Sequence, residues 1–268
     1  MPLMAKPMPV MRPQATEQMS KRHFGLLAHS SEGAALCFQT FCREGFARLG
    51  PHMHPDVTLD CIAMGEAMPA WDAGDYVSIR TIFEASVDRL AKAGADFFAC
   101  PDNTAHMALE HPGQPFPIPA LHIADVVAEA AKAQGLTKIA ILGTNYTMEG
   151  PVYPRALEAR GLTHAIPEPE ERSDIHRIIF DELVEGTFTD EARERYVSII
   201  QRLASEGCDG VALVCTEIPL LVTPDVSPIP VLDSTRLLAR AAFEVAIGTA
   251  PLPTWHGGPV LGSETPQA

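Results

Sequence analysis

Four short polar stretches of this 268-residue chain hold the side chains best suited to chemistry on a small molecule. They are "AHSSEGA" (28–34), "PDNTAH" (101–106), "GTNYT" (143–147) and "CTEIP" (215–219). Together they offer a thiol, carboxylates, an amide and several hydroxyls, groups that can hold a polar ligand and move its protons. Any one of them reads as a turn, because Pro, Asp, Asn and Ser serve turns everywhere. Each, however, directly follows an apolar run. Four such loops on one edge of a sheet make a binding cleft.

The elements that must position them can be read from the periodicity. Residues 23–29, 57–64, 95–101, 138–144, 210–216 and 229–234 are short apolar runs that read as strands. Residues 75–94, 123–135 and 189–207 carry apolar residues at helical spacing, and each ends at a glycine. Near-continuous apolar strands alternating with amphipathic helices mean an α/β fold of parallel βαβ units, with helices on both faces. In such open sheets ligands bind beyond the carboxyl ends of the strands. The sequence also echoes itself: helix 75–94 leads through "AGAD" into "FFACPDNT", and helix 189–207 leads through "EGCD" into "GVALVCTE". Two pseudo-equivalent lobes follow, residues 22–122 and 123–233. A helix at 234–248 packs back onto the first lobe. Residues 1–21, with prolines at 2, 7, 9 and 13, read as a flexible arm, and 249–268 as an irregular tail.

Composition narrows the classes of function. Hydrophobic residues make up 46% and charged residues 20%, which is ample for a core and argues against global disorder. A net charge of −14 argues against nucleic acid and against an anionic membrane surface, although a local field can still favour an anionic ligand. No apolar run approaches the roughly 18–20 residues of a membrane span. The cysteines at 37, 42, 61, 100, 208 and 215 form no CxxC pair or metal-ligand spacing. Without an export signal, reduced thiols in the cytoplasm are expected, each a buried small residue unless a motif says otherwise. The ten histidines lack a ligand pattern, and the His52/His54 pair sits beside prolines in a surface turn, so no catalytic metal is expected.

The motifs then become specific. "PDNTAH", "LGTNYTMEGPVY" and "LVCTEIPLL", in that order, resemble the aspartate/glutamate racemase superfamily of cofactor-independent racemases and their relatives. Members carry "PCNTAH" in lobe one, a "GT..T" loop opening lobe two, and "GCTE" in lobe two. The resemblance spans roughly residues 23–248. It implies a PLP-independent amino-acid racemase or epimerase acting without any cofactor, as a homodimer, on a small amino or carboxylic acid. It further implies an active site in the cleft between the two lobes, with one acid/base group from each. Cys215 takes the place of the second catalytic cysteine, while Asp102 stands where the first would be. Cys100 lies two residues earlier, within the strand, and reads as core.

That exchange changes the chemistry. A free thiol has a pKa near ~8.5 and a free aspartate near ~3.9, a gap of about 4.6 units or roughly 6 kcal/mol of basicity. Burial between lobes recovers part of that gap by desolvation. Abstraction beside a carboxylate builds charge on its oxygens, so preorganised donors are needed. Ser31, Asn103, Thr104, Thr144, Thr147 and Thr216 are the candidates, while Glu217 is placed to orient a substrate ammonium or assist the thiol, and His106 reads as either a helper or a helix-face residue. Aspartate-specific relatives use a basic residue after the second strand. Here 64–74 reads "MGEAMPAWDAG", with no arginine until Arg80, which disfavours aspartate. The five lysines sit away from the strand-end loops, consistent with chemistry that needs no Schiff base. Two alternatives keep the same fold. One is a decarboxylase or cis–trans isomerase with Cys215 as sole proton donor or nucleophile, and the other is a silent small-acid binder, against which the intact "VCTE" speaks.

Overall fold

A computed structural model describes residues 21–260, so the N-terminal arm expected at 1–21 falls almost wholly outside the described residues. Eight strands are present among them: β1 Phe24–Ala28, β2 Val57–Cys61, β3 Phe97–Ala99, β4 Ala120–Leu121, β5 Lys138–Leu142, β6 Thr163–Ala165, β7 Gly210–Leu213 and β8 Val231–Asp233. The helices are α1 Ser31–Leu49, α2 Met64–Ala73, α3 Tyr76–Lys92, α4 His106–Leu109, α5 Ile123–Ala133, α6 Asn145–Glu149, α7 Val152–Glu158, α8 Pro169–Ile178, α9 Asp190–Ser205, α10 Ile218–Leu221 and α11 Ser234–Ala246. A π-helical turn, Ile179–Leu183, extends α8.

The strands form two four-stranded sheets, ordered β2-β1-β3-β4 and β6-β5-β7-β8, with every neighbouring pair parallel. The α/β class and the two lobes read from the sequence are therefore what the chain adopts, with one topology used twice. The sequence echo falls on the third strand of each sheet, β3 and β7. Central strands such as β1 (FGLLA) and β7 (GVAL) are buried throughout because helices cover both faces. One face of the first sheet packs on α1 and α11, where Phe24, Phe41 and Phe243 meet, and the other packs on α2 and α3 through Phe83, Phe98 and Trp71. The second sheet is covered by α5 and α7 on one side and by α8 and α9 on the other.

Helix α11 leaves the second sheet and returns to the first lobe, where Leu238, Ala239, Ala242 and Phe243 join its core. Helix α5 serves both lobes, with Ile123 in the first core and Ala124, Val127 and Ala128 in the second. Residues 249–260 are irregular yet docked. The Ala120 and Phe116 N–H groups donate to the Trp255 and His256 carbonyls at 2.7 Å, and Gly258 N–H donates to Leu109 at 2.8 Å.

The lobes touch where α1 begins. A Cβ on Gly33 would sit 2.3 Å from Cγ2 of Thr216 in the loop after β7, so only glycine lets the two loops close. Gly33→Ala should therefore cost about 1–3 kcal/mol, read as a lower midpoint in urea unfolding. Adding Thr216→Ser, which removes the clashing methyl, should recover most of that loss. A double variant no more stable than Gly33→Ala would show that another contact is responsible.

Candidate active site

In each sheet the first and third strands lie side by side while the chain leaves them in opposite directions, which opens a crevice between their carboxyl ends. In lobe one the loops after β1 and β3 meet there, and in lobe two the loops after β5 and β7. The two crevices face each other around a cavity of about 560 Å³. Residues 29–32, 61–64 and 102–104 line it from the first lobe, and Thr144, Tyr146, His176 and 214–217 from the second. The four polar stretches that stand out in the sequence are thus brought together.

Asp102 is held from two sides. Its Oδ1 accepts the N–H groups of Thr104 (2.9 Å) and Ala105 (3.3 Å), while Oδ2 lies 2.7 Å from Nδ1 of His29. Both line the cavity, but His29 is 2% exposed at its side chain and Asp102 14%, so the carboxylate is the more accessible member of the pair. The imidazole packs edge-on against Phe83, with centroids 5.1 Å apart, and its Nε2 has no partner. His106 backs the same loop. Its Nε2 accepts the Ile123 N–H (3.3 Å), so Nδ1 is the donor to the Asp102 carbonyl (3.0 Å). Complete burial, reinforced by the neighbouring His122 charge, holds the His106 pKa well below the usual histidine value. It is a neutral latch between the loop and α5.

On the opposite wall the Cys215 thiol donates to Oε2 of Glu217 at 3.0 Å. Burial above all, then the Glu217 carboxylate and the charge of Asp102, push this thiol well above its ordinary pKa. Cys215 therefore carries its proton at neutral pH, with an acceptor already in contact. Thr216 and Glu217 are buried beside it. Thr104, Thr144 and Thr147 bring their hydroxyls together across the lobes at 3.1–3.4 Å. Thr104 and Thr144 reach the cavity. Ser31 also lines it, its hydroxyl donating to Glu32, and the N-terminus of α1 leaves the Ser31 and Glu32 N–H groups without intrahelical partners. Ser30 caps that helix by accepting the Gly33 N–H at 3.2 Å, as Thr144 caps α6 in the other lobe.

Asn103 stands apart from the other expected donors. Its amide is taken up by Tyr153 and Ser234, so toward a ligand it offers chiefly its backbone. The expectation that cysteines outside the motif are buried fails at Cys61, which is exposed at the end of the edge strand β2 and lines the cavity. His29 was visible only as a polar residue in the first loop, since its partner lies 73 positions away. Among the described residues no group of three His, Cys, Asp or Glu forms a metal-ligand set, and no helix is long and apolar enough to cross a membrane.

A family model described as Asp/Glu/Hydantoin racemase matches residues 10–242. The broad specificity amino-acid racemase RacX of Bacillus subtilis is 25% identical over 153 residues, which is 57% of this chain and 66% of the relative, just under two thirds of its length. The crystal structure of a candidate Asp/Glu racemase from Yersinia pestis is 30% identical with a TM-score of 0.76, covering 84% of this chain and 99% of that one. An aspartate racemase homologue from Pyrococcus horikoshii OT3 is 26% identical with a TM-score of 0.72 at the same coverage of both chains.

The thiol's partner gives a direct test of the electrostatics. Glu217→Gln removes the neighbouring charge, so the Cys215 pKa should fall and its thiolate fraction rise about tenfold per unit. Iodoacetamide labelling of Cys215 at pH 8, followed by peptide mass spectrometry to separate it from Cys61, should become several-fold faster. Unchanged or slower labelling would mean that Glu217 does not hold the proton on sulfur.

Proposed function

The chain belongs to the Asp/Glu/Hydantoin racemase family, and we propose that it racemises or epimerises an α-amino acid without pyridoxal phosphate, moving the Cα proton between Cys215 and Asp102. One observation carries the reading: the Cys215–Glu217 pair and the Asp102–His29 pair face one cavity from the equivalent strand ends of two lobes. An amino acid lying between them presents opposite faces of its Cα to the two sides.

The substrate carboxylate is placed at the N-terminus of α1, where the Ser31 and Glu32 N–H groups and the helix dipole meet negative charge. Thr104, Thr144 and Thr216 complete the donors, and the backbone of Asn103 borders them. In one direction Asp102 takes the proton from Cα. The C–H electron pair spreads into the carboxylate, and the Cys215 thiol delivers its proton to the other face. The reverse direction starts from the state this leaves: the Cys215 thiolate abstracts the Cα proton and protonated Asp102 donates its own to the other face. His29 touches only Oδ2 of Asp102; it positions the carboxylate and shares its proton. Because the donors form before the charge does, they stabilise the carbanion without reorganising. A homodimer, supported by family resemblance alone, and a cytoplasmic location complete the proposal.

In deuterium oxide, deuterium should appear at Cα of an amino-acid substrate, followed by NMR, with both enantiomers accumulating. Asp102→Asn should lower kcat by about 10²-fold or more while KM changes little, since the amide keeps the shape but cannot take the proton. Asp102→Cys should restore turnover, and Cys215→Ser should be the most damaging of the three. A fully active Asp102→Asn, with an inactive Asp102→Cys, would reduce the carboxylate to a loop-shaping role. Carbon dioxide release in place of exchange would replace racemisation with decarboxylation by Cys215 alone.

A further inference from the structure

Among the described residues no lysine or arginine lines the cavity, and three of its lining residues, Glu32, Asp102 and Glu217, are acidic. Arg177, next in sequence to His176, donates to Glu182 at 3.1 Å, and two further arginines are likewise committed elsewhere. Arg80 is buried, donating to the Leu109 and Gln114 carbonyls at 2.7 Å and to Glu84 at 3.0 Å. Arg155 donates to Glu110 at 3.1 Å and Asp125 at 3.2 Å. A second carboxylate on a substrate would find no cation here. It would meet like charge.

The rest of the wall is apolar and comes from both lobes. Helix α2 presents Met64, Met68 and Trp71 at i, i+4 and i+7, one stripe of its surface. The second lobe answers with Tyr146, with Phe180 in the π-helical extension of α8 and with Val184 just past its end. Of these six, all but Trp71 are 39–47% exposed, although each is large and hydrophobic. Large side chains left in water around one opening mark a binding surface. His176 sits among them, 4.7 Å from the Phe180 ring and 6.1 Å from Tyr146, and its Nδ1 accepts the Asn145 N–H at 3.3 Å. Burial lowers its pKa, so it adds a neutral ring to the wall rather than a clamp.

We propose that the substrate is an α-amino acid with a bulky uncharged apolar side chain, of the size of leucine, methionine or phenylalanine, held between the α2 stripe and the Phe180 face. This rests on the racemisation reading above and adds its specificity. Methionine is well suited to such a wall because its flexible side chain adapts to different apolar shapes.

The test is Cα deuteration of the L-enantiomers of methionine, leucine, phenylalanine, aspartate, glutamate and lysine by the full chain in deuterium oxide. The apolar three should exceed the charged three by at least about tenfold in kcat/KM. Phe180→Ala should raise KM for the apolar substrates, and Met68→Arg, at an exposed position, should shift the aspartate-to-methionine ratio at least about tenfold toward aspartate. Aspartate, glutamate or lysine exchanging as fast as methionine in the unaltered enzyme would overturn this assignment while leaving racemisation intact. Exchange with no amino acid would overturn both. A substrate ranking untouched by either variant, with circular dichroism confirming their folding, would overturn the placement of the side-chain wall.

Discussion

The geometry of the cleft depends on one buried amide. The two sheets share no strand, and only 3% of Asn103 is exposed between them. Its Oδ1 accepts the Tyr153 hydroxyl at 2.5 Å, and its Nδ2 donates to Ser234 Oγ at 3.1 Å. Ser234 in turn donates to the carbonyl of Leu213, the last residue of β7, at 3.0 Å. Asp102 immediately precedes the amide, and Cys215 lies just beyond Leu213. Two hydrogen bonds in series, Asn103 to Ser234 and Ser234 to Leu213, thus tie the loop carrying Asp102 to the strand end that precedes Cys215. Leaving any of these groups unpaired in the interior would cost about 1–3 kcal/mol. Burial raises the Tyr153 pKa far above its usual value, so the phenol remains a donor at any ordinary pH.

Much of this was legible in the sequence because the strands are short, apolar and capped by polar loops. The six runs that read as strands are strands, and the helix read at 75–94 forms as α3, Tyr76–Lys92. Strands β4 and β6, of two and three residues, are too short for any periodicity and exist because a neighbour supplies the ladder. Helix α2 contains Pro69 and lacks a side-chain cap, so propensity argues against it, but burial of Ala67 and Trp71 beneath α3 outweighs that local cost. The loops of the cleft could be found by their residue types. Their pairings could not. His29 meets Asp102, and Asn103 meets Tyr153, across 73 and 50 positions, contacts that depend on strand order and lobe closure rather than on local pattern. For the same reason Asn103 looked like a ligand donor, when its side chain is spent holding the lobes together.

Duplicated topology gives the two lobes equivalent third strands, yet one ends in a carboxylate hydrogen-bonded to an imidazole and the other in a thiol hydrogen-bonded to a carboxylate. For a reaction that interconverts mirror images, thermodynamics restricts what this inequality can do. Enantiomers have equal free energy in water, so kcat/KM must be the same for both, whatever groups flank the carbon. Unlike groups on the two sides of such a carbon could only apportion that shared ratio differently, giving one enantiomer the higher turnover and the other the tighter hold. Such a site is even-handed when substrate is scarce and partial when it is saturated, so the composition of the pool, rather than the enzyme's preference, sets the direction of net flux.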